Sequence, residues 1–357
     1  MSHPAMRILQ INTERGWRGG ERQTLLTALY QRKLGHQVEL LVHAQGELAK
    51  KAAEQGLTVH GVRSAPGFGV WLALHGRRYD ILHAQTAKVV AWAVLSKVFH
   101  RRPIIFSRRT SFPVGSNRWA TQWKWQHVDQ LVAISDAAAA SPRAMGLQPI
   151  VIQSAVPVVT PDPERVLAFL KQNKLDGKRL VGTASALSPE KDPVTLIRAA
   201  AIVCRQFADV SFVHWGAPGH ASAAAEECIA AHGLQDRYIM AGFTPGVEQL
   251  YPALSVFVMA SKFEALGSSV LDAMMQRVPV VSTDAGGLKE TLSNGRGLLC
   301  AVGDVDAMAL RIIELLDQPQ RAAAMAEHAF AEVNAEYDVE RMARRYLNVY
   351  ASVLSRR

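Results

Sequence analysis

Short apolar runs rich in β-branched residues alternate along the chain with longer amphipathic stretches, a pattern typical of βαβ units. In the first half it predicts strands at residues 7–12, 37–43, 58–62, 81–85, 104–107, 131–135 and 150–153. After a proline-rich segment at 157–163 it predicts strands at 180–184, 210–214, 238–241, 256–260 and 280–282. The clearest helical stretches are 21–34, 87–99, 304–317, 319–334 and 339–354.

The pattern predicts an α/β protein with two Rossmann-like domains, each a doubly wound parallel sheet. We place the first domain at residues 1–160, the second at 161–335 and a closing helix within 336–357. A chain of 357 residues exceeds what one hydrophobic core usually supports, which also favours two domains. Ligands of open parallel sheets bind beyond the carboxyl ends of the strands. We therefore expect the chemistry in strand-to-helix loops that face a cleft between the domains.

The loop after the strand predicted at 256–260 carries residues suited to binding a charged ligand. It contains Glu264 and Gly267, and a helix is predicted to begin with Ser268 as its N-cap. The free N–H groups and the dipole at such a helix N-terminus attract anions. Asp272 lies one turn into this helix, so the two carboxylates can flank one bound molecule.

The next strand leads to a loop with Gly286 and Gly287, where bare backbone can approach a ligand, and Glu290 follows. Together, residues 262–290 resemble the donor-binding segment of retaining glycosyltransferases of family 4. That family has the GT-B fold of two facing Rossmann-like domains. Its pattern is Glu, seven residues, a second Glu, a Pro-Val-Val strand and Asp-x-Gly-Gly-x-x-Glu. This chain departs from it with Asp272 as the second acid and Ala-Leu in place of Gly-Phe.

The resemblance implies a role for each matched residue. Glu264 would contact hydroxyls of the donor sugar, and the backbone of Leu266, Gly267 and Ser268 would contact the sugar or the diphosphate. Asp272 would accept hydrogen bonds from the ribose hydroxyls, and the Gly-Gly loop with its glutamate would complete the donor site. Either acid taken alone is more simply interpreted as a solvated loop or helix residue.

Two further loops resemble parts of the same family. Lys191 matches the lysine that clamps the donor diphosphate, whereas Ala186 occupies the position of the usual arginine partner. Residues 16–21 resemble the family's glycine-rich loop, which places Gly19 and Gly20 near the donor phosphate and the acceptor. A dinucleotide-binding domain also has such a loop, but its G-x-G-x-x-G spacing is missing, which disfavours a dehydrogenase.

Arg109 stands at the end of a strand where the family usually has a histidine. An arginine cannot act as a base at neutral pH. We therefore expect it to bind an anion or to orient an acceptor hydroxyl, with a structural salt bridge as the alternative. The resemblance also implies that the closing helix crosses back onto the first domain.

The charge of the chain is uneven. Residues 1–160 contain 20 Lys and Arg against 8 Asp and Glu, whereas the remainder contains 20 against 23. Six of the seven tryptophans lie in the same basic half. This composition suits an anionic membrane surface or glycolipid, and it suits a solvated basic face with core tryptophans equally well. With no signal peptide, no apolar run of 18 residues and three scattered cysteines, we expect a cytoplasmic protein, peripheral on the inner membrane face.

These features predict a retaining glycosyltransferase that uses a nucleoside-diphosphate sugar, with uridine as the expected base, and a glycolipid or oligosaccharide acceptor in lipopolysaccharide or capsule biosynthesis. No cofactor is expected. The only Asp-x-Asp, at 304–306, begins a late helix where capping explains it, so a metal is not expected either. One alternative is a sugar-nucleotide 2-epimerase of the same fold. A weaker one is a basic nucleic-acid-binding protein, although no nucleic-acid reading module is recognisable.

Overall fold

The computed structural model describes residues 4–356. The chain forms two compact units, one comprising residues up to Ala155 together with Tyr337 onward, and the other Val156–Glu336. Residues 152–162, which include most of the predicted linker, have no regular secondary structure. None of the helices within 4–356 combines the length and apolarity that crossing a bilayer requires.

The first unit contains a seven-stranded parallel sheet with the order β3-β2-β1-β4-β5-β6-β7. Its strands are β1 (Arg7–Asn12), β2 (Gln37–His43), β3 (Thr58–Val62), β4 (Ile81–Ala84), β5 (Ile104–Arg108), β6 (Gln130–Ala133) and β7 (Ile150–Val151). The helices between them are α1 (Gly19–Lys33), α2 (Glu47–Glu54), α3 (Ala65–His75), α4 (Ala87–His100), α5 (Arg118–Gln126) and α6 (Asp136–Arg143).

The second unit contains a six-stranded parallel sheet with the order β10-β9-β8-β11-β12-β13. Its strands are β8 (Arg179–Ala184), β9 (Val210–Trp215), β10 (Tyr238–Gly242), β11 (Leu254–Met259), β12 (Val280–Thr283) and β13 (Leu298–Cys300). Its helices are α7 (Pro163–Gln172), α8 (Pro193–Gln206), α9 (Ser222–Ala231), α10 (Ser268–Met275), α11 (Gly287–Thr291), α12 (Val305–Asp317) and α13 (Pro319–Glu336). The predicted α/β class with two parallel sheets is thus confirmed.

The last helix, α14 (Val339–Ser355), belongs to the first unit and covers one face of its sheet. Neighbouring residues of β1 point to opposite faces, because side chains alternate along a strand. Ile8 packs in the same core cluster as Tyr346 and Tyr350 of α14. Leu9 packs in a second cluster with residues of α3 and α4. The sheet is therefore covered on both faces, which explains why its central strands β1, β4 and β5 are almost wholly buried.

The tryptophans of the first half do not form a surface cluster. Trp125 is buried, Trp119 is 78% exposed, and the others are partly buried. Of the six rings, only Trp119 is largely exposed, and whether the basic half meets a membrane stays a prediction. The remaining rings pack within the unit, as Trp71 does between His60 and His75.

Candidate active site

Three neighbouring strands of the second unit, β8, β11 and β12, end at the same edge of its sheet. The loop after β8 carries Lys191, the loop after β11 carries Glu264, and the loop after β12 carries Gly286. The ammonium of Lys191 forms an ion pair with the carboxylate of Glu264. The two side chains are only 23% and 16% exposed. The fold thus brings together a predicted phosphate-binding cation and a predicted sugar-binding carboxylate that are far apart in sequence.

The loops after β8 and β11 are held together by several further contacts. The backbone N–H of Lys262 donates to the carbonyl of Glu190 at 2.8 Å, and its ammonium lies 3.2 Å from Asp192. Asp192 has a left-handed backbone with φ 46° and accepts a hydrogen bond from the Thr195 hydroxyl at 2.8 Å. These contacts fix the short turn that presents Lys191.

The loops after β11 and β12 are in direct backbone contact. The N–H of Gly287 donates to the carbonyl of Glu264 at 3.0 Å, and the Thr291 hydroxyl donates to the carbonyl of Leu266 at 2.7 Å. A Cβ at Gly287 would lie well inside van der Waals distance of the Ala265 carbonyl oxygen. The bare backbone at Gly287 therefore meets another loop, whereas we expected it to approach a ligand.

Helix α10 begins one residue earlier than predicted, because its N-cap is Gly267 and Ser268 is its first residue. The prediction of a serine cap is wrong for two reasons. Gly267 has φ 87°, a conformation that favours glycine. In addition, a Cβ there would lie 2.5 Å from a methyl of Leu288. The backbone N–H groups of Ser268 and Ser269 donate to no protein acceptor within residues 4–356, and they can bind an anion.

The other predicted donor contacts differ in exposure. Asp272 is almost fully buried in α10 and already interacts with the protein. Glu290 is partly buried in α11, whereas Gly286 is exposed. Gly286 has φ 52° and ψ −120°, which glycine alone adopts readily. Contacts of these three residues with the donor stay predictions.

A buried histidine supports the loop that contains Ala186. Nε2 of His214 donates to the carbonyl of Ser185 at 3.0 Å, so its Nδ1 accepts from the Tyr238 hydroxyl at 3.0 Å. Burial lowers the pKa of His214 from 6.5 to about 4, so the ring is neutral at pH 7. We infer that His214 positions the loop and takes no part in proton transfer.

Acidification should destabilise the second unit through His214. The folded-state pKa is depressed, so the unfolded chain binds the proton first and stability falls as the pH drops below about 6.5. We expect His214 to remove about 2 kcal/mol of unfolding free energy between pH 7.5 and pH 5. Urea unfolding of wild type and His214→Gln at both pH values measures this. Equal losses in the two proteins would contradict the assignment.

In the first unit, the glycine-rich loop and Arg109 lie side by side. Gly19 is the first residue of α1, and a Cβ at Gly20 would lie 3.9 Å from Cδ of Arg109. The buried carboxylate of Glu21 accepts a hydrogen bond from the backbone N–H of Arg18 at 2.9 Å, which shapes this turn. Burial raises the pKa of Glu21 above its usual range.

The guanidinium of Arg109 is held by two neutral side chains. Its Nε and Nη2 donate to Oε1 of Gln85 at 2.9 and 2.6 Å, and its Nη1 donates to the hydroxyl of Ser154 at 3.0 Å. Within residues 4–356 no carboxylate pairs with Arg109, so the alternative of a structural salt bridge is wrong. The side chain is oriented without being neutralised, which suits a residue that binds an anion or a hydroxyl.

Sequence reasoning missed Gln85, which belongs to a chain of buried amides. Its Nε2 donates to Gln10 at 2.7 Å, and Gln10 donates to Gln31 at 2.8 Å. Gln31 in turn donates to the hydroxyl of Tyr350 in α14 at 3.1 Å. This order fixes the Gln85 amide with its oxygen towards Arg109. The available signal was Gln10, a polar residue inside β1, whereas Gln85 itself follows the last residue of β4.

The part of the chain that the structure describes contains no cluster of side chains suited to binding a metal ion. Within residues 4–356, no three His, Cys, Asp or Glu side chains lie together as metal-ion ligands. Asp304 caps α12, as predicted, by accepting a hydrogen bond from the N–H of Ala307 at 2.9 Å. A metal bound mainly through substrate phosphates needs no such cluster. Metal independence of the reaction therefore stays a prediction.

Comparison with known proteins assigns both halves of the chain to glycosyltransferases. Residues 167–332 match the family model Glycosyl transferases group 1, and residues 17–159 match Glycosyltransferase Family 4. The lipopolysaccharide core biosynthesis mannosyltransferase LpcC of Rhizobium leguminosarum bv. viciae is 27% identical over 299 residues, which is 80% of this chain and 82% of that protein. LpsB of Rhizobium meliloti (strain 1021), also a lipopolysaccharide core mannosyltransferase, is 33% identical over 132 residues, covering 36% and 38% of the two chains.

Solved structures agree on the fold. HepE of Anabaena, crystallised in complex with UDP-glucose, has a TM-score of 0.88 and 20% identity, covering 97% of this chain and all of that one. This chain belongs to the family 4 glycosyltransferases and has the GT-B fold. It is an enzyme of the glycosyltransferase class.

Proposed function

We propose that this enzyme transfers a sugar, with retention and without a metal, from a nucleoside-diphosphate donor to a membrane-borne glycolipid or oligosaccharide of lipopolysaccharide or capsule biosynthesis. The adjacent Lys191 and Glu264 carry the proposal. In such a donor the anomeric carbon is bonded directly to a phosphate oxygen. A cation for the phosphate and a carboxylate for the sugar hydroxyls must therefore lie side by side, as these two residues do.

The proposed chemistry follows from this placement. The bond between the anomeric carbon and the phosphate oxygen breaks while the acceptor oxygen bonds to the same carbon. The acceptor proton passes to a phosphate oxygen on the same face, so no protein nucleophile is needed. Negative charge grows on the departing diphosphate, and Lys191 together with the N–H groups of Ser268 and Ser269 stabilises it. Glu264 holds the sugar hydroxyls and fixes the orientation of the anomeric carbon.

The first unit supplies acceptor recognition in this proposal. Arg109 has five N–H donors, and its contacts with Gln85 and Ser154 engage three of them within residues 4–356. The other two remain for an anionic or hydroxyl group of the acceptor. Gly19 and Gly20 allow such a group to approach the backbone beside Arg109. We place the enzyme in the cytoplasm, peripheral on the inner face of the membrane.

The names of the relatives indicate which acceptor and which donors to test. LpcC and LpsB act in lipopolysaccharide core biosynthesis as mannosyltransferases, which supports a lipopolysaccharide-type acceptor and a mannose donor. HepE was crystallised with UDP-glucose, which supports the uridine nucleotide that the sequence led us to expect. The relatives thus support two different donor sugars, and binding experiments decide the sugar and the base of the donor.

A thermal-shift panel of UDP, UDP-glucose, UDP-N-acetylglucosamine and GDP-mannose tests the donor. A donor at about 100 times its Kd should add about 2.7 kcal/mol of stability by mass action. For a unit of this size that corresponds to a rise in Tm of about 5–10 °C. If none of the four nucleotides raises the Tm, the proposed donor site is wrong. Product formation that needs no acceptor would instead favour the epimerase.

A further inference from the structure

The hydroxyl of Tyr350 in α14 lies at the far end of the chain of buried amides that holds Arg109. Tyr350 is completely buried. Its hydroxyl oxygen accepts hydrogen bonds from Nε2 of Gln31 at 3.1 Å and from Nε2 of Gln10 at 3.4 Å. A tyrosine hydroxyl can accept hydrogen bonds but has only one proton to donate. Because the amide N–H groups occupy its oxygen, that proton must point to a different acceptor.

The acceptor of this proton is the ring of His83 in β4. Nδ1 of His83 lies 2.6 Å from the Tyr350 hydroxyl, and Nε2 lies 2.8 Å from the hydroxyl of Ser107. Burial, and after it the positive charge of Arg109, lowers the pKa of His83 well below 6.5, so the ring is neutral at pH 7. A neutral ring has one protonated nitrogen, so Nδ1 accepts from Tyr350 while Nε2 donates to Ser107. The Tyr350 proton is therefore directed to His83 and away from the amides.

This arrangement sets the direction of the hydrogen bonds that lead from Tyr350 to Arg109. The Gln31 amide must turn its nitrogen to Tyr350 and its oxygen to Gln10. Gln10 and Gln85 follow in the same sense, because two facing oxygens or two facing NH2 groups would leave buried polar atoms unpaired. The oxygen of Gln85 then faces Nε and Nη2 of Arg109, which can only donate. Reversing the chain would turn the NH2 group of Gln85 towards the guanidinium.

We propose that Tyr350, with its proton held by His83, is a positioning residue for Arg109 in acceptor binding. Tyr350 forms no hydrogen bond with Arg109 within residues 4–356, and its burial keeps it out of reach of a substrate. Its hydroxyl acts through the three amides, which keep an acceptor atom in front of the guanidinium and so hold the two remaining N–H groups in one direction.

The inference rests on the proposed function, because it takes Arg109 as the residue that binds the acceptor. It adds that the closing helix α14 contributes to acceptor binding without touching the acceptor. The orientation of Arg109 can be measured without sugar transfer, and donor binding can be measured without an acceptor. Failure of the inference and failure of the proposed function are therefore distinguishable.

Tyr346 is the matched control for a purely structural role of the Tyr350 hydroxyl. Tyr346 lies one turn earlier in α14, is 1% exposed and packs in the same core cluster. Its hydroxyl lies 3.0 Å from the hydroxyl of Ser107, outside the chain of amides. Tyr350→Phe and Tyr346→Phe each remove one buried hydroxyl, so each should lower the Tm. Only Tyr350→Phe should alter Arg109.

The test is the solvent exchange of the Arg109 Nε–H, measured in the arginine side-chain region of a nitrogen–proton correlation NMR spectrum. Loss of the signal in Arg109→Lys assigns it. Wild type should exchange slowly, because Nε donates to Gln85 at 2.9 Å. Exchange should be about tenfold faster in Tyr350→Phe, the factor expected for one lost hydrogen bond to a charged group. Tyr346→Phe should exchange at the wild-type rate.

His83→Leu is a second variant, which leaves Tyr350 in place and removes only the acceptor of its proton. The hydroxyl is then free to donate to the oxygen of Gln31, which reverses the chain of amides. Exchange at Arg109 should therefore accelerate as it does in Tyr350→Phe.

Transfer kinetics measure the consequence for the acceptor. With the core oligosaccharide of lipopolysaccharide as the acceptor probe, Tyr350→Phe should raise the KM for the acceptor about tenfold. The KM for the donor and the thermal shift with the nucleotide donor should stay at the wild-type values. Tyr346→Phe should leave the KM for the acceptor unchanged.

Two results would overturn the proposal. One is wild-type exchange at Arg109 in both Tyr350→Phe and His83→Leu, or an equal acceleration in Tyr346→Phe. The other is faster exchange in Tyr350→Phe without a change in the KM for the acceptor. If wild type binds no sugar nucleotide and transfers no sugar, the proposed function fails, whereas the exchange rates still decide whether Tyr350 positions Arg109.

Discussion

Replacing Lys191 by alanine is expected to lower the rate of glycosyl transfer at least tenfold. A hydrogen bond from a charged donor contributes about 1.5–3 kcal/mol, which corresponds to a rate factor of about 10 to 150. The effect should fall mainly on kcat, because charge on the departing diphosphate grows towards the transition state. Transfer from a radiolabelled sugar nucleotide at saturating donor measures it.

Substituting the ion-pair partner of Lys191, as Glu264→Gln, distinguishes a catalytic role of the pair from a purely structural one. It preserves the shape of the side chain and should also lower transfer at least tenfold. Asp209→Asn is the control, because Asp209 forms a 2.7 Å ion pair with Arg179 at the opposite end of β8 and β9. Asp209→Asn should keep wild-type activity. If Lys191→Ala and Glu264→Gln also keep wild-type activity per folded molecule, the Lys191–Glu264 pair is structural and the proposed roles are wrong.

Gly287→Ala is expected to disrupt the donor-binding loops. The new methyl would be forced against the Ala265 carbonyl, and backbone cannot move aside as a flexible side chain can. Overpacking of this kind typically destabilises by about 1–3 kcal/mol. The displaced Ala265–Leu266 backbone should also weaken nucleotide-sugar binding. Thermal unfolding with and without the donor measures both effects.

Gly115→Ala is the matched control for this substitution, because nothing lies within 4 Å of a Cβ at Gly115. It should leave the Tm and the donor-induced shift unchanged. A Gly287→Ala protein with wild-type stability and donor binding would show that the close contact between the two loops does not hold the site together.

Sequence pattern was sufficient for most of the fold. Short runs rich in β-branched residues indicate strands, and β1, β2 and β3 have the bounds expected from the sequence. The three-residue strand β13 (Leu298–Cys300) was missed, because so short an apolar run has no recognisable period.

The donor loops show what a local pattern cannot reveal. The spacing of Glu264, Gly267 and Ser268 indicated a loop followed by a helix, and residue type suggested a serine cap. The actual cap depends on Leu288, which lies close only because two loops pack together. The role of Gly287 depends in the same way on the Ala265 carbonyl. Both facts arise from tertiary contact, which sequence spacing does not contain.

The contact of Gln85 with Arg109 was hidden for a related reason. Gln85 follows the last residue of β4 and resembles an ordinary loop residue in sequence. Only the folded sheet places it beside Arg109.

Hydrogen exchange in the presence of the sugar nucleotide tests the central claim most directly. If the loops after β8, β11 and β12 bind the donor, backbone amides in residues 188–192, 264–270 and 286–290 should exchange more slowly when it is added. The Lys191→Ala protein should show less of this protection at the same donor concentration. A donor that stabilises the protein while leaving these amides unchanged, and protects another region, would contradict the account.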